Sequence, residues 1–385
     1  MGTSVRVKIR PTSWKYEAII STGSLAEAGR WAAKCLGRTE SKIAILTNRK
    51  IAPIYLGLVT HALERTGFET YSFILPDGER YKNLSSIETF LQYLGEKNFQ
   101  RTDAIVSLGG GVIGDIAGFA AAIYLRGIGF LQVPTTLLAM IDSSVGGKTG
   151  INTPFGKNLV GAFHQPRGVL IDPAVLCTLE QREITAGLCE AVKQAALAGE
   201  KLFDQTRELL DVFTEGDVSK VFTRKENARR FEQFIAAQIR FKSEIVAADE
   251  RESARYVGPK SRKILNFGHT FAHALEKSTD YRYLRHGEAV GHGVLFAAEL
   301  SKRLGLLDKD SVNLLRDVVR RCGPLPQIHH IAPDEIRTAL RYDKKNIDGT
   351  LQWILLQQIG KPRIVPGNQI PASVLNSTIK AALRK

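Results

Sequence analysis

The chain has 385 residues, more than one ordinary core accommodates and enough for two, with the 44% hydrophobic and 24% charged content of a soluble globular protein. A formal net charge of +14 would suit nucleic acid, but the basic residues are spread along the chain and not interleaved with aromatics, so no nucleic-acid surface is expected. The longest apolar run, 116–125, is far short of the ~20 residues of a membrane span, no apolar stretch follows Arg6, Lys8 and Arg10, and Cys35, Cys177, Cys189 and Cys322 show no paired spacing, so a cytoplasmic protein is expected.

In chain order, 43–47 and 70–75 read as strands. Residues 85–94 read as a helix, with Ser85 and Glu88 as a capping box and Ile87, Phe90, Leu91 and Leu94 on one face. Strands follow at 104–108, 128–133 and 169–171, and this alternation predicts a mainly parallel sheet covered by helices, Rossmann-like, with ligands at the carboxyl ends of its strands. From about Thr178 helical periodicity dominates, at 182–198, 227–247, 267–277, 288–304 and 311–321, with strand-like pieces only at 351–356 and near Ile364. The expected division is an α/β domain over 1–177 and a mostly helical domain over 178–385. The charged stretch 249–263 reads as a loop.

Residues 109–115 read GGGVIGD, directly after a strand and at a helix start, so Gly109, Gly111 and Gly114 satisfy G-x-G-x-x-G. Glycines there let the backbone approach a pyrophosphate at a helix N-terminus. The loop does not follow the first strand, and no carboxylate lies near position 130 for a ribose; Glu79 is the nearest candidate. A tight strand-to-helix turn would look the same. A second polar loop is expected after the next strand, with Thr135 and Thr136, then Asp142, Ser143, Ser144, Gly146, Gly147 and Lys148, and with Lys157 and Asn158 close behind. It is no Walker A loop, because Asp142 stands where that spacing requires glycine.

Ligand-type residues cluster in the helical half: Glu190 with Lys193 one turn later, His269 and His273 four apart, and His286 before another helix. One carboxylate and two imidazoles would hold a divalent ion with an open position. No Glu follows His269, which excludes the metalloprotease signature; for Glu190 the bland reading is weaker, since a buried carboxylate needs a partner, although Lys193 could be that partner by itself.

The runs GGGVIGDIAGF (109–119), VPTTLLAMIDSSVGGKTGIN (133–152), GKNLVGAFHQP (156–166), GLCEAVK (187–193), ADERES (248–253), LNFGHTFAHALE (265–276), HGEAVGHG (286–293) and DKKNIDG (343–349) span most of the chain in order. On them the chain resembles the 3-dehydroquinate synthases. The resemblance implies zinc or cobalt on Glu190, His269 and His286, with His273 left for substrate. It implies substrate contacts from Asp142, Lys148, Lys157, Asn158, Lys193, Lys242, Arg262, Asn266 and one of Lys344 or Lys345. Arg126 would reach the phosphate from the neighbouring subunit of a homodimer. NAD contacts would include Asn48, Glu79, Lys82, Gly109, Gly110, Gly111, Val112, Asp115, Thr135, Thr136, Asp142, Ser143, Lys148, Lys157 and Thr178. The implied reaction, in the shikimate pathway, turns 3-deoxy-D-arabino-heptulosonate 7-phosphate into 3-dehydroquinate and phosphate, by transient oxidation, elimination, re-reduction, ring opening and aldol closure. Competing readings are a sister cyclase making an inosose or valiolone, and a metal-dependent polyol dehydrogenase.

Overall fold

The computed structural model describes residues 14–38, 41–214, 225–253, 255–341, 346–347 and 350–384. Among the described residues, eight strands fall in the first half: β1 (Glu17–Ile20), β2 (Lys42–Asn48), β3 (Glu69–Leu75), β4 (Ala104–Gly109), β5 (Gly129–Pro134), β6 (Lys148–Thr153), β7 (Gly156–Phe163) and β8 (Gly168–Ile171). Strands β6 and β7 form an antiparallel hairpin, and the others one parallel sheet in the order β1-β8-β5-β4-β2-β3.

The central strands are covered on both sides. Ile43 and Ile45 of β2 enter one core and Ala44 and Leu46 the other, as the period-two alternation of a strand requires. This is why β2 and β4 read as unbroken apolar runs. Helices α1 (Ala28–Leu36) and α2 (Gly57–Glu64) cover the first face, and α3 (Leu84–Glu96) and α4 (Gly111–Ile123) the second. The chain passes from β2 to β3 on one side and from β3 back across to β4 on the other, so the crevice between the carboxyl ends of β2 and β4 is the switch point of the sheet.

Two expectations need correction here. Helix α3 starts at Leu84, and Asn83 is its cap, accepting the Ser86 N–H at 2.9 Å. Ser85 therefore lies inside the first turn, where its hydroxyl cannot serve as the cap. The polar stretch around Lys148 is also no loop, because Lys148 begins β6 and Lys157 lies on β7.

The second half contains α5 (Gln181–Ala198), α6 (Glu200–Thr214), α7 (Lys225–Ala248), α8 (His269–Ser278), α9 (His286–Arg303), α10 (Lys309–Arg321), α11 (Pro333–Arg341) and α12 (Ala372–Leu383). With them is a small antiparallel sheet of β9 (Asn346–Ile347), β10 (Thr350–Gln358) and β11 (Lys361–Pro366). No helix among the described residues is long and apolar enough to cross a membrane.

Helix α5 is buried from Ile184 to Leu197 and forms the hub of this half. Gly287 lets the start of α9 close on it, because a Cβ there would lie 2.0 Å from the Ala186 carbonyl oxygen. Gly268, at φ +78°, precedes α8 and sits where a Cβ would lie 2.7 Å from the Val294 nitrogen of α9. Substitution at either position would push the helix starts apart.

Candidate active site

These close approaches bring Glu190 of α5, His269 at the start of α8 and His286 at the start of α9 together. One ligand atom from each lies within 4.8 Å of the others. Glu190 Oε1 is 3.6 Å from His269 Nε2 and 3.5 Å from His286 Nε2. Atoms bound about 2.0–2.2 Å from a tetrahedral centre lie roughly 3.3–3.6 Å apart, so the spacing fits a zinc-sized ion. The ring orientations agree. His269 Nδ1 is 3.2 Å from the Phe267 carbonyl, which can only accept, so Nδ1 carries the proton and Nε2 presents a lone pair. His286 Nδ1 is 3.3 Å from Glu276 Oε2, with its Nε2 turned to Glu190 in the same way. Glu190 Oε1 is fully buried and accepts no hydrogen bond. Two ring nitrogens facing an undonated carboxylate oxygen call for a positive charge, a proton or a bound cation.

Around this cluster, cations arrive already paired. Lys193 Nζ lies 2.7 Å from Glu190 Oε2. Lys242 Nζ lies 2.9 Å from Asp142 Oδ1 and donates to the Asp142 carbonyl at 2.6 Å, while Gln194 Nε2 donates to Oδ1 at 3.1 Å. Burial works against the Asp142 charge, but Lys242 and Lys193 outweigh it and hold the carboxyl below its usual range. Burial also pulls Lys242 down to about 8, partly offset by Asp142. Lys148 pairs with Glu252, and burial lowers its pKa despite that partner. Asn266 Nδ2 donates to Glu252 Oε1 at 2.9 Å. Lys157 Nζ is 2.9 Å from Glu276 Oε1. The Arg262 guanidinium donates through Nη1 to the Glu250 carbonyl at 2.5 Å and through Nη2 to the Gly146 carbonyl at 2.9 Å.

His273 is on the same face of α8 as His269, with ring centroids 5.6 Å apart, and 6.1 Å from the His286 ring. For His286, burial opposes the charged ring, but the Glu276 and Glu190 carboxylates outweigh it and raise its pKa.

The glycine loop opens α4 at the carboxyl end of β4. Gly110 is the N-cap, and no side chain caps the helix, leaving its first N–H groups to a ligand. Gly109 is buried, and Val112 is half-buried in the first turn. A Cβ on Gly110 would lie 3.0 Å from Thr136 Cγ2, and one on Gly111 3.2 Å from Ser143 Oγ, so these residues gather around one backbone surface. Thr135 Oγ1 is buried there without a hydrogen-bond partner. Across the switch point, Asn48 Nδ2 donates to Asp77 Oδ1 at 2.9 Å, and Glu79 Oε1 accepts from Asn152 Nδ2 at 2.7 Å. Lys82 pairs with Asp115 and donates to Asn158 Oδ1 at 2.5 Å. Thr178 Oγ1 lies 2.8 Å from the Tyr55 hydroxyl.

Arg126 stands apart, exposed at φ +66° next to Leu125 at φ +48°. Lys344 and Lys345 lie outside the described residues. The geometry also adds two carboxylates that sequence reading does not single out, Glu252 and Glu276. For Glu276 the signal was present, since it falls three residues after His273 and seven after His269, on one helix face. For Glu252 the signal was only its place in the run ADERES (248–253), in an irregular charged stretch with no periodicity to orient it.

Residues 72–186 match the 3-dehydroquinate synthase N-terminal family model, and 187–346 the 3-dehydroquinate synthase C-terminal model. The 3-dehydroquinate synthase of Nitrosomonas europaea is 42% identical over 342 residues, 89% of this chain and 88% of that protein. That of Synechococcus is 39% identical over 98% of this chain and 99% of its own. Among solved structures, a 2-epi-5-epi-valiolone synthase from Streptomyces hygroscopicus with NAD+ and Zn2+ bound is 26% identical at a TM-score of 0.80, covering 98% of both chains. A 2-deoxy-scyllo-inosose synthase complexed with carbaglucose-6-phosphate, NAD+ and Co2+ is 25% identical at 0.79, covering 94% of this chain and 96% of that one. A glycerol dehydrogenase from Schizosaccharomyces pombe, 16% identical at 0.66 over 98% of this chain and 91% of its own, shares the fold alone.

Proposed function

This chain belongs to the 3-dehydroquinate synthase family, and from that premise we propose that it converts 3-deoxy-D-arabino-heptulosonate 7-phosphate to 3-dehydroquinate and phosphate with NAD and one divalent ion. The observation that carries the metal is the undonated Glu190 Oε1 facing two imidazole lone-pair positions at 3.5 and 3.6 Å. Glu190, His269 and His286 would hold the ion. When bound, it supplies Lewis acidity toward a substrate hydroxyl, and the nicotinamide supplies reversible hydride exchange. The uncapped N-terminus of α4, with Gly109 to Gly111 and Thr135, would take the pyrophosphate.

The remaining work falls to side chains. Lys148, Lys157 and Asn266 bind and orient the anionic ends of the substrate by exchanging their present carboxylate partners for it, and Lys193 and Lys242 bind it from their places beside Glu190 and Asp142. Asp142, kept charged by Lys242 and Lys193, orients those two ammonium groups. His273 faces the same space as His269 and is placed to move a proton at substrate. Arg262 holds Gly146 in place through its carbonyl, so its role in gripping a carboxylate would require that bond to open.

We further propose that residues 1–177 and 178–385 are two domains meeting at this cleft, and that the protein is a homodimer in which Arg126 enters the neighbouring subunit's site. Supporting the second reading, Arg126 projects from two consecutive left-handed residues, beside exposed Ile123 and Leu125. Exposed Leu159, Val160 and Phe163 lie on β7, which packs on α4.

The test is phosphate release from the seven-carbon acid phosphate, with NAD omitted in one arm and a chelator added in another. Release that requires both, with no net NADH, supports the proposal. Faster turnover of sedoheptulose 7-phosphate or glucose 6-phosphate would move the chain to a sister cyclase, and accumulating NADH to a dehydrogenase.

A further inference from the structure

Glu276 has no part in the ligand set above, yet its side chain is 1% exposed and touches both sides of the cleft. Its two oxygens divide their work. Oε2 faces His286 Nδ1 at 3.3 Å, and Oε1 meets Lys157 Nζ at 2.9 Å. His286 begins α9, Lys157 comes from hairpin strand β7, and Glu276 itself is on α8. One carboxylate therefore ties together three separate elements. Lys157 is further confined by the Tyr281 ring at 4.6 Å and by Glu79 at 3.9 Å.

We propose that Glu276 is a positioning residue that sets the ring orientation of His286 toward the cation and, with the same charge, holds the Lys157 ammonium ready for an anion. The inference rests on the reading of Glu190, His269 and His286 as the metal site. A carboxylate behind an imidazole fixes which nitrogen carries the proton and makes the opposite nitrogen a better donor. The two duties are linked. An anion that draws Lys157 away leaves the full charge of Glu276 on His286, so anion binding and metal affinity should reinforce each other, reciprocally.

The experiment measures zinc affinity of the full-length protein by competition with a chromophoric chelator, with and without inorganic phosphate, alongside thermal melting. Glu276→Gln keeps an acceptor oxygen and the volume but removes the charge. Its zinc Kd is expected to rise about 10–100-fold with little change in Tm, and the tightening by phosphate expected of the parent should vanish. Lys157→Met should leave zinc affinity unweakened while abolishing the phosphate effect. A Gln variant that binds zinc within twofold of the parent overturns the proposal. So does a Lys157→Met variant that loses zinc as severely, because the effect would then be one of packing. If the Gln variant does not fold, Glu276→Asp reads the same quantity, with about a tenfold loss expected from a carboxylate too short to reach both partners. His286→Ala separates the two levels of inference. Zinc binding unaffected by His286→Ala defeats the metal-site reading itself, whereas loss there with Glu276→Gln unaffected defeats only the role of Glu276.

Discussion

Lys193 Nζ sits 2.7 Å from Glu190 Oε2, one turn along α5, with both side chains shut off from solvent. Removing one member of such a pair leaves an uncompensated charge, at a cost of about 3–5 kcal/mol. Lys193→Met should therefore destabilise the metal-free protein by roughly that much. Zinc should restore more stability to this variant than to the parent, because a repelling cation has gone while the ligand set remains. Melting curves with and without zinc check this; a metal-free variant as stable as the parent, or one that no longer binds zinc, contradicts it.

The two neighbouring histidines should separate by function. His286→Ala removes a nitrogen 3.5 Å from Glu190 Oε1 and should lose most bound metal and activity together. His273→Ala should keep the metal and lose rate. Elemental analysis of the purified variants decides, and the reverse pattern would exchange their roles.

Gly111→Val places branched carbons where even a Cβ comes within 3.2 Å of Ser143 Oγ, at the first turn of α4. NAD binding measured by calorimetry should fall below detection while zinc binding is kept. Unchanged NAD affinity would place the cofactor elsewhere.

Lys242 predicts a pH dependence. Its pKa is about 8 in the folded protein against 10.5 for an ordinary lysine. The free site therefore loses this charge as pH rises through about 8, and kcat/KM for an anionic substrate should fall on that limb. Lys242→Arg keeps the charge and should shift the limb to higher pH. The stability sign runs the other way. Between about 8 and 10.5 the unfolded chain binds the extra proton, so this group's contribution to stability grows as pH rises through that window. A Lys242→Met variant should lack that rise. An alkaline limb unchanged in both variants would assign it to another group.

Chemistry carried by local spacing was legible in the sequence; geometry made by distant packing was not. The buried strands β2 and β4 announced themselves as apolar runs, and the glycine loop sat where a strand meets a helix. Hairpin β6–β7 did not, because exposed residues such as Leu159 and Val160 and its several glycines carry no alternating pattern. Strand β1 has only four residues and gains its identity from pairing with β8, far along the chain. Likewise, spacing alone left Glu190 open between a ligand and a lysine's partner. Only the packing of two helix starts against the middle of α5 shows Oε2 turned to Lys193 and Oε1 to the imidazoles.

The cleft carries its own counter-ions. Lys82, Lys148, Lys157, Lys193 and Lys242 are matched by Asp115, Glu252, Glu276, Glu190 and Asp142. Each of these five pairs is neutral as a unit. Free phosphate can trade with a single pair, such as Lys157 with Glu276. A molecule that presents several anionic and hydroxyl groups at once can trade with several pairs together, and its capture should depend only weakly on ionic strength.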